Sequence, residues 1–270
     1  MFSKKISLSF TVFLTGACVL VIEVVATRIL SPYFGNTIFT VSSVISVVLL
    51  ALSAGYYLGG KLADRFPTEK FFYSIILASG LSVILLQFLM LFFLPVIGYA
   101  LPITGGPLVS AVFLFFLPSF LLGTLSPFAV KLQGQYFPEK GLGSIAGEIF
   151  FWSTLGSIFG SLLAGFVLIP RFGINNIISA IAAVLVVLGL CPLAKNGISK
   201  SSVFKITLFC FFGIAAASSA AHLKAAALYT AATECMKRSP FMTENLVGNR
   251  PGFSSRIAAV RERCFWIRTN

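Results

Sequence analysis

Long apolar runs separated by short polar links dominate the chain. They extend approximately from Leu8 to Ile29, Ile38 to Leu58, Phe71 to Phe93, Pro107 to Val130, Ile145 to Ile169 and Ile174 to Leu193. A hydrocarbon core of roughly 30 Å takes about 20 residues at 1.5 Å each, so every run predicts a membrane-spanning helix. A seventh run, Val203 to Ala221, holds Lys205 near one end and the small-residue stretch Ala215 to Ala221, so its apolar signal is weaker. The fold class expected is therefore all-α, a polytopic transmembrane bundle of six to seven helices. Residues 1–194 form the six-helix domain, 195–222 the seventh helix and 223–270 a basic, poorly structured tail. In that tail Pro240, Gly248, Pro251 and Gly252 interrupt any long helix.

Composition supports this reading. Of 270 residues, 57% are hydrophobic and 10% charged, and the mean hydropathy is +0.97, too apolar for a domain solvated by water. Lys4 and Lys5 ahead of an apolar run imitate a leader, and Leu14-Thr15-Gly16-Ala17-Cys18 resembles a lipoprotein cleavage box with Thr in place of a large aliphatic residue. The apolar run continues past Cys18 to Val25, which favours a retained first helix. The five cysteines are scattered without a C-x-x-C pair and say nothing about compartment.

The net charge of +12 lies mainly between the apolar runs and in the tail, so membrane topology accounts for it and nucleic acid is not an expected partner. Lys4 and Lys5, then Lys61, Arg65 and Lys70, then Lys131 and Lys140, then Lys195 and Lys200 mark alternate links. The opposite links carry Arg171 alone. By the positive-inside rule the amino terminus is expected in the cytoplasm. An odd seventh span would carry the tail outside, although residues 223–270 hold eight Lys and Arg against three Glu.

The end of the second run, Gly59 to Phe66, and the end of the fifth, Gly165 to Phe172, share Gly, Leu, Arg and Phe at a constant offset of 106. Arg65 and Arg171 fall on opposite sides, as a 3+3 inverted repeat requires. Chance similarity between two helix ends is the competing explanation.

Glu23 is the costliest residue in the spans, since a charge at the bilayer centre costs roughly 2.5–3.5 kcal/mol on insertion scales. Two readings stay open: a proton or cation site within the bundle, or a structural carboxyl bonded to a neighbouring helix. Arg28, five residues on, points to another part of the helix surface, so a pair between them is poor geometry. Glu148 begins the fifth helix, where the dipole favours a carboxylate. Gly55 with Gly59, and Gly156 with Gly160, have the spacing of close helix packing. Pro118 and Pro127 free backbone carbonyls that neighbours re-satisfy or that line a cavity. Neither metals nor cofactors are expected. His222 is the sole histidine and Asp64 the sole aspartate, which leaves no metal cluster and no catalytic triad, and no Gly-rich nucleotide loop follows a strand.

Gly16, the stretches "VIEVVATRILSPYFG", "GYYLGGKLADR" and "LLGTLSPFAVKL", and "STLGSIFGSLLAGFVLIPRFG" together resemble the membrane domain of the bacterial fused spermidine synthase-like proteins, over about residues 8–193. The resemblance implies a membrane domain like half of a major facilitator transporter, set in a bacterial inner membrane. Gly60, Leu62, Ala63, Asp64 and Arg65 match the G-x-L-A-D-R loop of those transporters, whereas Pro67 and Thr68 depart from it. On that resemblance Gly60, Asp64 and Arg65 belong to a gating loop. The family also carries an aminopropyltransferase-like domain after the membrane part. The residues after Leu193 contain three Glu and no Asp, too few acids to hold a polycationic amine, and do not resemble the start of that domain. The expectation is a truncated or frame-disrupted form of a longer protein, a transporter-like or membrane-anchoring module without its own catalytic site. The expected partners are the lipid bilayer, with either a separately encoded soluble enzyme or further copies of the chain; the alternative function is a small-molecule transporter, for polyamines among others, working as an oligomer.

Overall fold

The computed structural model of the protein describes residues 2–95, 98, 101–102 and 104–195, with the side chains of 2–7, 194 and 195 excepted. All of them belong to one compact unit. The seventh helix and tail expected from the sequence lie outside the described residues.

Among the described residues the fold is wholly helical. In chain order the helices are α1 (Phe2–Phe34), α2 (Ile38–Arg65), α3 (Glu69–Phe92), α4 (Gly106–Tyr136), α5 (Leu142–Arg171) and α6 (Ile174–Lys195). All six are long and apolar enough to cross a membrane, with spans of 20 to 31 residues, or about 30–46 Å of helix. Several outrun their apolar cores. α2 continues from Leu58 to Arg65 and α4 from Val130 to Tyr136, because the i to i−4 hydrogen-bond ladder does not need apolar side chains to continue.

Local signals set the ends. Gly35 has φ 75°, the left-handed conformation glycine tolerates, and its N–H donates to the Ser31 carbonyl at 2.9 Å, closing α1. Thr37 and Thr68 cap α2 and α3 through their hydroxyls, which accept from the N–H groups of Thr40 and Phe71. Within α5, residues Ala164–Leu168 form a π-helical stretch in which the Ile169 N–H donates to the Ala164 carbonyl. It ends just before Pro170, which has no N–H to continue the regular ladder. α4 runs unbroken through Pro118 and Pro127.

The main pairings are α2 on α4, α1 on α5 and α3 on α6, with α4 also against α1 and α3. Exchanging the first three helices for the last three maps the main pairings onto themselves. Each is a seam of glycine against backbone. A Cβ on Gly156 would strike the Phe13 carbonyl of α1, one on Gly160 would meet Ala17, and one on Gly16 would strike Ser153 of α5. A Cβ on Gly55 would strike the Phe120 carbonyl of α4, and one on Gly59 would come within 2.6 Å of Thr124. Gly80 and Gly189 do the same between α3 and α6, against Val186 and Leu77. The two glycine pairs singled out in the sequence are thus packing surfaces, joined by Gly16, Gly80, Gly123 and Gly189.

The offset of 106 does not survive at the level of environment. Gly59 is pressed against Thr124, whereas Gly165 faces open space. The packing glycines recur instead at an offset of 101, Gly55 to Gly156 and Gly59 to Gly160.

A polar clamp supplements the α3 to α6 seam. The fully buried Gln87 donates through Nε2 to Ser179 Oγ at 3.0 Å, and Ser179 donates back to Gln87 Oε1 at 3.2 Å. α5 is peripheral, with 17% of its most apolar window buried against 56% for α1 and α4. Phe150, Phe151 and Phe166 are exposed, and in a bilayer they face acyl chains.

Gly156→Leu should destabilise the bundle by about 1–3 kcal/mol, because backbone cannot yield to the new side chain. Gly60→Ala, where a Cβ meets nothing within 4 Å, should be neutral or stabilising by about 0.5–1 kcal/mol. Melting in detergent measures both, and equal melting temperatures for the two variants would refute the seam. Gln87→Leu and Ser179→Ala should each cost on the order of 0.6–1.7 kcal/mol, with the double variant costing less than the sum; additive losses would show that the clamp is not a coupled unit.

Candidate functional site

Glu23 lies on the stripe of α1 formed by Gly16, Leu20, Glu23 and Thr27, which recur at three- and four-residue spacing. Its side chain is half-buried and makes no hydrogen bond or ion pair with any described residue. Arg28 is exposed and does not pair with Glu23. The structure therefore does not tie Glu23 to a neighbouring helix.

Gly16 and Leu20 of this stripe, but neither Glu23 nor Thr27, line a cavity of about 80 Å³ where α1, α2, α4 and α5 cross. Gly16 and Gly123 bound it, and Thr15, Tyr56, Ser126, Ser153 and Ser157 are the hydroxyl-bearing residues of its lining. Two of these are engaged: Thr15 donates to the Val12 carbonyl at 3.1 Å, and Ser157 donates across the seam to the Gly16 carbonyl at 3.1 Å. Ser126, Ser153 and Tyr56 have no hydrogen-bond partner among the described residues. Pro127 affects a backbone group as well. Lacking an N–H, it leaves the carbonyl of Gly123, four residues earlier, without its helical donor. A second, wholly apolar void of about 10 Å³ lies among α1, α3, α4 and α6, lined by Ile22, Val83 and Phe115 among others.

A cluster of charged and polar groups gathers at the end of the bundle where α2 and α4 finish. Gly60, Asp64 and Arg65, which the resemblance assigns to a loop, are on the last turns of α2, and the non-helical link is Phe66 to Thr68. Lys131 of α4 donates to Asp64 Oδ1 at 2.6 Å. Both side chains are largely open, so the pair is worth at most about 1 kcal/mol. Arg65 stands 5.4 Å from the ring centre of Phe66. Tyr136 donates to Glu69. Glu148 sits in the second turn of α5, where Gln133 Nε2 donates to it at 3.0 Å and Lys140 lies 3.7 Å away. These contacts join α2 to α4, and α4 to α3 and α5, at one end of the bundle.

The sequence singled out Glu23 and the prolines, and not the hydroxyls. Serines and threonines occur throughout the spans and usually donate to their own helix, as Ser79 and Ser82 do here. The legible signal was the pairing of Gly123 with Pro127 at i and i+4, with Ser126 beside them.

No protein-family profile matches the chain, and no solved structure does. Over 189 residues the chain is 28% identical to polyamine aminopropyltransferase 1 of Streptomyces coelicolor, covering 67% of this chain and 33% of that protein. The chain thus spans one third of the length of this relative. A bundle of six membrane-competent helices is distantly similar to part of a protein named for polyamine aminopropyl transfer.

Proposed function

We propose that this chain is the membrane module of a polyamine aminopropyltransferase-like system, anchoring or positioning an enzyme rather than carrying polyamine through its own core. The observation behind this reading is the size of the hydroxyl-lined cavity. Its volume of about 80 Å³ is roughly half the ~150 Å³ that accommodates a benzene molecule, and far below the ~300–1,000 Å³ of ordinary ligand sites. An extended polyamine does not fit there. The enzyme is either a domain continuous with this module, as in the family resembled, or a separately encoded soluble protein.

The helix pairings favour two three-helix units in inverted orientation, with the α2 to α4 and α1 to α5 seams as equivalents. On this reading Asp64 and Lys131 are a weak latch between α2 and α4 at the cytoplasmic end, where the resemblance places a gating element. The second reading, a transporter working as an oligomer, is favoured by the unpartnered Glu23 carboxyl.

A tagged protein extracted in mild detergent should recover a soluble aminopropyltransferase-type protein. Vesicles containing the purified chain should show no more spermidine flux than lipid alone. Flux well above the lipid background that Glu23→Gln removes would replace anchoring with transport, and absence of flux together with absence of any aminopropyltransferase-type protein, whether co-purified or continuous with the module, would sink the two readings together.

A further inference from the structure

We infer that the cavity at the crossing of α1, α2, α4 and α5 is a binding site for a compact monovalent cation, met by the freed Gly123 carbonyl and the hydroxyls of Ser126, Ser153 and Tyr56. The inference stands apart from the anchoring role. Ser126 and Ser153, both half-buried, and the exposed Tyr56 make no hydrogen bond to a described residue, and Pro127 withholds the helical donor of the Gly123 carbonyl; polar groups at membrane depth are ordinarily satisfied by neighbours or by an occupant of the cavity they line.

The chemistry of the wall selects the occupant. Carbonyl and hydroxyl oxygens present lone pairs, the ligand set of an alkali cation or of an ammonium group with its N–H donors. An anion would meet hydroxyl hydrogens but also the Gly123 carbonyl, and no Lys or Arg lines the space. The volume suits a bare ion with one or a few waters, or a methylammonium-sized head, and excludes a quaternary ammonium of several carbons. The charge also needs compensation in a low-dielectric setting. Glu23 lies on the same α1 stripe as Gly16, about 10 Å farther along the axis, and supplies the negative field without occupying the cavity.

Pro127 separates binding from packing. Pro127→Ala returns an N–H to the Gly123 carbonyl, which strengthens the helix while withdrawing that carbonyl from the cavity. The full chain in detergent is melted in choline chloride, sodium chloride and methylammonium chloride at one ionic strength. The wild type should gain melting temperature saturably in sodium or methylammonium relative to choline. A response to sodium alone assigns an inorganic ion; a response to methylammonium alone assigns an amine head. Pro127→Ala and Ser126→Ala should each require at least about tenfold more cation for the same gain. Glu23→Gln should weaken the response, and Ser74→Ala, whose exposed hydroxyl donates to Lys70, should leave it intact. Identical melting of the wild type in all three salts, or an undiminished response in both Pro127→Ala and Ser126→Ala, overturns the site.

Discussion

Helices within a bilayer gain nothing from leaving lipid for one another's apolar side chains, because acyl chains are just as apolar; their association depends on how closely their backbones approach. In this protein that approach rests on glycine. Gly55 and Gly59 let α2 meet the backbone of α4, and Gly156 and Gly160 let α5 meet that of α1. Large exposed side chains of α2 and α5, such as Leu49, Leu50 and Phe151, are left away from the seams. Neither seam tolerates even a Cβ at these positions without movement of backbone.

The cavity follows from the same seams. α1 and α4 are central, each contacting four other helices, and each contributes one glycine, Gly16 or Gly123, to the shared crossing. Removing side chains from the crossing brings backbones together above and below it and leaves a small space beside it. Ser153 and Ser157 from α5 and Tyr56 from α2 reach that space because the glycines one turn away fix the rotation of their helices. Packing and the polar lining are therefore two consequences of one arrangement.

The charged end of the bundle works differently. Asp64 with Lys131 is open to solvent, and Lys140 reaches the half-buried Glu148 only at 3.7 Å, so their contribution is small and falls with salt. Gln133 and Tyr136 lie deeper and link α4 to α5 and α3. Stability resides in the buried seams, and the ion pairs at the end adjust the relative positions of the helix termini at little energetic cost.

The sequence by itself determined the six helices, since a run of about 20 apolar residues in lipid has no alternative to the helix for satisfying its backbone. It also marked Glu23 as costly and the paired glycines as contact surfaces, through spacing along a single helix. Which helix each glycine meets, and hence that Gly165 is open while Gly160 is packed, was decided by the tertiary structure. So was the convergence of Tyr56, Ser126 and Ser153, residues up to 97 positions apart. Local hydropathy is set within a few turns of one helix, whereas a cavity exists only where four helices cross, at angles fixed by contacts no single helix contains.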